Sequence, residues 1–261
     1  MTLPLSVFII ARNEETRIGR TLAALRGLTD DIVVVDSGST DRTVAIAEQL
    51  GARVLFRAWE GYGQQKRFAE SQCRHPWLLN VDADEVVTPE LAAELRALFA
   101  STAPRPGAYN IRILTVYPGE ERPRLLPRDV NAVRFYHREV GSYRDHPSYD
   151  RVELSGVRAR QLKGPLWHYP IIDWHSLLDK GNRFSTFQAT LPSGYSDGAL
   201  KLRLYTEFPI NFFKTYIVRR HITGGWKGFY FALAQAFMRT SRIAKMLEAR
   251  QTSADSAEKS P

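Results

Sequence analysis

Over the first hundred residues, short runs of consecutive apolar side chains alternate with amphipathic stretches. The runs at Leu5 to Ala11, Ile32 to Asp36, Ala52 to Phe56 and Trp77 to Val81 are rich in β-branched residues. They are too brief for buried helices and predict strands. Helical patterns fall between them at about residues 15–27, 41–50 and 64–74, and another runs from Pro89 to Ala100. Strand and helix in alternation predict an α/β fold, with a parallel sheet joined by right-handed crossovers.

The rhythm changes after residue 101. Ser101 to Gly107 has the composition of a loop, and strand-like pieces such as Tyr109 to Val116 are interrupted by Pro118, Pro123, Pro127 and Pro147. An antiparallel, loop-rich extension of the same sheet is expected there. Helical periodicity returns at Asp173 and lasts to about Ala249, and the polar end of the chain reads as disordered. The expected division is an α/β domain over 1–170, a helical region over 171–250 and a tail over 251–261.

Composition narrows the function classes. With 261 residues and 44% apolar content the chain can fill a core. The single cysteine, Cys73, excludes an intramolecular disulfide and a metal–thiolate cluster. No signal-peptide pattern and no stretch of about 18 apolar residues is present, so neither signal-directed export nor a membrane span is expected. The net charge of +8 is localised: residues 1–199 hold 25 basic and 24 acidic side chains, whereas 200–250 hold ten basic ones against Glu207 and Glu248.

That basic segment is also aromatic. Read as a helix, residues 229–247 put Phe229, Tyr230, Leu233, Phe237, Ala244 and Leu247 on one face and Arg239, Arg242 and Lys245 on the other. Upstream, Phe208, Phe212, Phe213 and Tyr216 stand beside Arg219, Arg220 and His221. Such a surface suits peripheral contact with an anionic membrane. The alternative is that both helices pack on the α/β domain with only their charged sides solvated.

Polar clusters follow the predicted strands, where α/β sheets place their ligands. Arg12, Asn13, Glu14 and Glu15 follow the first, Asp36 to Asp41 the second, and Asp82, Ala83, Asp84 and Glu85 the fourth. Helix capping explains Ser39, Thr40 and Asp41 equally well. It does not explain the third cluster, because Thr88, Pro89 and Glu90 already supply the next helix start. Three carboxylates in four residues repel one another unless a cation compensates them, so Asp82 and Asp84 are candidate metal ligands, with a solvated acidic turn as the alternative. Hard carboxylate oxygens favour Mg²⁺ or Mn²⁺.

The segments SVFIIARNEE, DDIVVVDSGSTDRT, GYGQQKRFAE and WLLNVDADE, in that order, resemble family-2 glycosyltransferases of the GT-A fold. LKGPLWHY, DKGNRFST and the basic aromatic end extend the resemblance towards bacterial enzymes related to the lipopolysaccharide core β-1,4-glucosyltransferases. The resemblance implies that residues 1–170 form the GT-A catalytic domain. It puts Arg12, Asn13, Glu14, Asp36, Ser37, Lys66, Asp82 and Ala83 around a nucleotide-sugar, Lys66 facing the diphosphate; an exposed helical face is the alternative for Lys66. Ser37 stands where many members have a second aspartate that reads uracil. Asp82 and Asp84 match the metal motif, and His168 would complete the metal shell unless it is a hydrogen-bonded core residue. The catalytic base would be Asp150, with Asp145 and Glu139 as rivals; Tyr149 occupies the position where the family often has a histidine.

The function so implied is inverting, metal-dependent transfer of a hexose, glucose from a UDP-sugar, to a lipid-linked saccharide such as the lipopolysaccharide core. The enzyme would be cytoplasmic, peripheral on the inner face of the bacterial plasma membrane, with no nucleic-acid partner. A polyprenyl-phosphate sugar transferase and a non-catalytic basic protein binding membrane or nucleic acid are the rival readings.

Overall fold

The computed structural model describes residues 2–100, 104–146, 150–191 and 193–258. Two compact units emerge. The first comprises residues 1–115 and 129–169, the second 116–128 and 170–261.

Unit 1 is the α/β domain. Strands β1 (Leu3–Ala11), β2 (Thr29–Asp36), β3 (Arg53–Phe56) and β4 (Trp77–Asn80) alternate with helices α1 (Ile18–Ala24), α2 (Thr43–Gln49) and α3 (Tyr62–Ser71). After β5 (Glu85–Val87) and α4 (Pro89–Leu98) come β6 (Ala108–Thr115), β7 (Val130–His137), β8 (Gly141–Tyr143), β9 (Val152–Leu154), β10 (Arg160–Gln161) and β11 (Leu166–His168). Among the described residues, nine strands form one sheet in the order β3-β2-β1-β4-β7-β6-β11-β5, with β10 beside β6. The first four strands are mutually parallel, and β7 joins β4 antiparallel. β8 and β9 form a separate hairpin rather than part of the expected extension.

The early strands read as unbroken apolar runs because both faces of the sheet are covered. Val7, Ile9 and Val34 point into one core with Ile18 and Leu22 of α1 and Leu91 and Leu95 of α4. Phe8, Val33 and Val35 point into the other, with Ala69 of α3 and Cys73. The period of two along each strand feeds both. Burial pushes the Cys73 thiol up to about 12, which leaves it an inert core group. Trp77 stacks on Phe135 in the first core, so it is a packing residue. Thr88 caps α4 by accepting from the Leu91 amide, with Pro89 in the first turn.

Unit 2 is helical. Its helices are α5 (Trp174–Ala189), α6 (Asp197–Phe213) and α7 (Gly225–Glu258). A π-helical turn at Lys214–Val218 and a 3₁₀ turn at His221–Gly224 connect the last two. Asp173 and Ser176 form a capping box at the start of α5. The chain reverses at Arg220, whose φ of 60° is left-handed. Residues 116–128 strap this corner: Tyr117 Oη lies 2.6 Å from His221 Nδ1, and Arg124 donates to the Arg219 carbonyl at 2.9 Å. At Gly228 a Cβ would come within 1.8 Å of the His221 carbonyl oxygen, so only glycine lets α7 start against this turn.

Two features depart from the sequence expectation. Helix α7 continues to Glu258, past residue 250. Arg242 and Lys245 do not form a solvated face: Arg242 donates to Gln188 and Lys245 to the Asn182 carbonyl of α5. Phe229, Leu233 and Phe237 of the apolar face are exposed.

Candidate active site

The carboxyl ends of β1, β2 and β4 lie on one edge of the sheet, because the three strands are parallel neighbours. The loops that leave them are laced together. Asn13, in the left-handed region at φ 55°, accepts from the Thr40 amide at 2.8 Å, and its own amide donates to Ser39 Oγ at 2.9 Å. The Glu14 amide donates to Thr43 and the Glu15 amide to Asp41. Asp41 also accepts from the amide of Thr43, the first residue of α2, whose N-cap Arg42 makes no side-chain cap. Asp36 shapes its own loop, accepting from the Gly38 and Ser39 amides at 2.9 Å each. Ser37 accepts from Gln65 of α3 at 2.9 Å, and Arg12 is exposed beside them.

The acidic cluster is resolved by cations of the protein itself. Lys66 is not on an exposed helical face: its side chain is 1% exposed, and Nζ lies 3.0 Å from Asp82 Oδ1 and 2.8 Å from Asp150 Oδ1. Arg134 of β7, which the sequence did not single out, reaches Asp82 Oδ2 at 2.8 Å and Glu85 Oε1 at 2.9 Å and also contacts Asn80. Burial would raise the Asp82 carboxyl, but Arg134 and Lys66 together hold it well below the usual range. Burial would lower Lys66, but Asp82, with Asp150, keeps it charged. Burial raises Glu85 in spite of Arg134.

Asp84 and His168 form a second group. β5 turns back antiparallel to β11 and pairs Glu85 with His168, which brings the imidazole to the acid beside it. His168 Nε2 lies 3.4 Å from Asp84 Oδ1, and Arg17 lies 3.3 Å from Oδ2. Burial would raise Asp84, yet His168 and Arg17 hold it low; burial would lower His168, yet Asp84 raises it. Ala83 sits between the groups, its carbonyl accepting from Thr21.

The predicted residues thus converge, with one division. Asp82 is turned to Lys66 and Arg134, while Asp84 and His168 face each other. Among the described residues, no group of three or more His, Cys, Asp or Glu side chains is arranged to hold a metal ion. Asp84 and His168 nevertheless fit a hard divalent cation as a pair, since one carboxylate and one imidazole meet in a partly buried spot, at 3.3 Å from Arg17 and 3.4 Å from each other. Of the three candidate bases, Asp150 is the one joined to Lys66; Asp145 and Glu139 are exposed, and Glu139 lies 3.8 Å from His137. Tyr149 lies outside the described residues. Trp59 and Tyr62, half-exposed at the start of α3, make an edge-to-face pair.

Three parallel strand ends thus bring these charged side chains to one edge of the sheet, the position at which α/β sheets bind their ligands. Residues 6–108 match the family model described as Glycosyl transferase family 2. An uncharacterized glycosyltransferase of Rickettsia felis is 36% identical over 254 residues, covering 94% of this chain and 89% of the relative. The lipopolysaccharide core biosynthesis glycosyltransferase LpsC of Rhizobium meliloti is 30% identical over 262 residues, covering 94% and 93%. Glucosyl-3-phosphoglycerate synthase from Mycobacterium tuberculosis, crystallised with Mn²⁺, UDP-glucose and phosphoglyceric acid, aligns with a TM-score of 0.45 at 22% identity over 73% of this chain and 81% of that one. The chain belongs to glycosyl transferase family 2 and is a glycosyltransferase, with a mixed sheet flanked by helices.

Proposed function

We propose that the enzyme transfers a hexose, glucose from UDP-glucose, to a lipid-linked saccharide with inversion, at the inner face of the plasma membrane. The observation that carries the reading is the Asp150–Lys66–Asp82 chain of contacts at the strand ends, which sets a carboxylate beside a buried cation. Arg12, Asn13, Glu14, Asp36, Ser37 and Ala83 would hold the nucleotide. Lys66 would meet the diphosphate, neutralising charge where the leaving group forms. Asp150 would accept the acceptor hydroxyl's proton while that oxygen bonds to the anomeric carbon and the bond to the diphosphate breaks. A single displacement of this kind inverts the anomeric centre.

Asp84 and His168 would hold Mg²⁺ or Mn²⁺, which when bound supplies Lewis-acid stabilisation to the departing diphosphate. Asp82 would act through its two cations instead of as a ligand. The lipid-linked acceptor is supported by a relative named for lipopolysaccharide core biosynthesis and by the basic, aromatic segment 200–250.

A thermal-shift panel of UDP-, GDP-, CDP- and dTDP-sugars with Mn²⁺ tests the donor. Stabilisation by UDP-glucose that Asp84→Ala abolishes is the expected result; an unchanged response in that variant overturns the metal assignment. Asp150→Asn should lower turnover by about 10²–10⁴-fold while keeping donor binding. Near-normal turnover in that variant would favour a phosphate acceptor, which needs little base, and hence a polyprenyl-phosphate transferase.

A further inference from the structure

Away from the small cluster of Leu200, Ile243 and Met246, the helices of unit 2 carry polar and small side chains inside and bulky apolar ones outside. The inner face of α6 carries Glu207 and Asn211, and Thr215 continues it in the π-turn; all three are buried. Glu207 is neutralised by Arg203 at 2.8 Å and Arg239 at 3.6 Å, and Asn211 donates to the Glu207 carbonyl. The outer face carries Leu202, Tyr205, Ile210, Phe213 and Ile217, which are 40 to 80% exposed. α7 repeats the arrangement: Ala232 and Ala236 are buried, while Trp226, Phe229, Leu233 and Phe237 are exposed along one stripe. On α5 the buried position is Ser185, and Phe184 and Phe187 are outside. Among the described residues, nineteen of the twenty-three exposed large hydrophobic side chains belong to unit 2.

In water an amphipathic helix turns its large apolar side chains inward. Small and polar residues between helices, with bulky apolar ones outside, suit a surrounding of lipid. A contiguous exposed patch of this size marks an interaction surface. Charge selects the occupant. Exposed Lys214 and Arg219 bracket Ile217 and Val218, and Lys201 adjoins Leu202. A second copy docked isologously would set this basic patch against itself, whereas anionic headgroups complement it. No helix among the described residues is long and apolar enough to cross a membrane, so insertion is limited to one leaflet.

We propose that the outer faces of α6 and α7 insert into the boundary between headgroups and acyl chains of an anionic bilayer, anchoring the enzyme by hydrocarbon burial as well as by charge. This deepens the membrane part of the reading above and is independent of the donor chemistry.

Flotation of the full chain with phosphatidylcholine vesicles, with and without phosphatidylglycerol, tests it. Binding should require the anionic lipid to form but persist when salt is raised afterwards to about 0.5 M, where charge attraction is screened within about 4 Å. Combining Phe213→Gln, Ile217→Gln and Phe237→Gln should reduce partitioning at least about tenfold, with unchanged circular dichroism and unchanged donor hydrolysis in solution. Lipids brominated on the acyl chain should quench tryptophan fluorescence of the wild type, and Trp226→Phe should remove most of that quenching. The quenching decides the matter even if the triple variant misfolds. Complete release by salt, absence of quenching, equal flotation of a folded triple variant, or a wild-type dimer that the triple variant splits would each overturn the proposal. Insertion without any glycosyl transfer would instead overturn the functional reading and leave the anchor standing.

Discussion

The acids behind β4 divide by what neutralises them, and the division predicts which of their partners serve stability and which serve function. Arg134 is the counter-ion of both Asp82 and the fully buried Glu85. Arg134→Leu strands Glu85 and leaves Asp82 to Lys66 alone, and should cost about 3–5 kcal/mol, read as a lower urea midpoint. Asp84 holds longer contacts with Arg17 and His168, so Asp84→Asn should lower the urea midpoint less than Arg134→Leu does while removing the response of the donor reaction to Mn²⁺. The carboxylates were legible in the sequence because they follow a buried-looking strand and are not needed for capping. Arg134 was not: an arginine between Val133 and Phe135 in a strand looks like any solvated position until β7 is known to lie beside β4. The same blindness made metal appear to be the necessary compensation for the cluster, when Lys66 and Arg134 supply much of it.

Strands and helices were readable wherever burial on both faces produced unbroken apolar runs, and the ties between them were not. Asp31 of β2 shows one such tie. It accepts from Ser6 of β1 at 2.6 Å, from the Arg74 amide after α3 at 2.8 Å, and from Arg53 of β3 at 3.0 Å. Burial would raise its pKa, but these donors hold it below the usual aspartate range. A carboxyl depressed on folding stabilises above its unfolded pKa and loses that contribution as the pH falls through the folded value. Asp31→Asn should therefore cost about 2–3 kcal/mol near pH 7 and approach the wild type below about pH 4, as followed by denaturation at several pH values. For α6 and α7 the helical period was equally plain, but period does not say which face is inside. The alternative in which apolar faces turn inward would put Lys245 in solvent, whereas it binds the Asn182 carbonyl and the Ser185 and Thr186 hydroxyls of α5.

Across the whole chain, stability should be distributed unevenly, because the two units bury very different cores. Unit 1 fills both sides of its sheet, with Leu5, Val7, Phe8, Ile9, Leu78 and Leu79 essentially inaccessible to water. The cluster that unit 2 builds from its helices centres on Leu200, Ile243 and Met246. Each fully buried large apolar side chain contributes about 1.5–3 kcal/mol, so unit 2 has far less to oppose the entropy of ordering three helices. Local opening free energies follow such differences, and amide exchange reports them. In buffer, exchange should be slowest in β1, β2 and β4 and at least about a hundredfold faster over α5 to α7, the factor expected for a gap of about 3 kcal/mol. Anionic vesicles that cover the outward faces of α6 and α7 bind the folded helices and not the unfolded ones, which adds stability by mass action. They should slow exchange in α6 and α7 selectively and leave the strands of unit 1 unchanged. Uniform protection along the chain in buffer would mean that the helices draw on a core larger than the one around Leu200, and equal slowing of both units by vesicles would mean that lipid acts on the protein without distinguishing its faces.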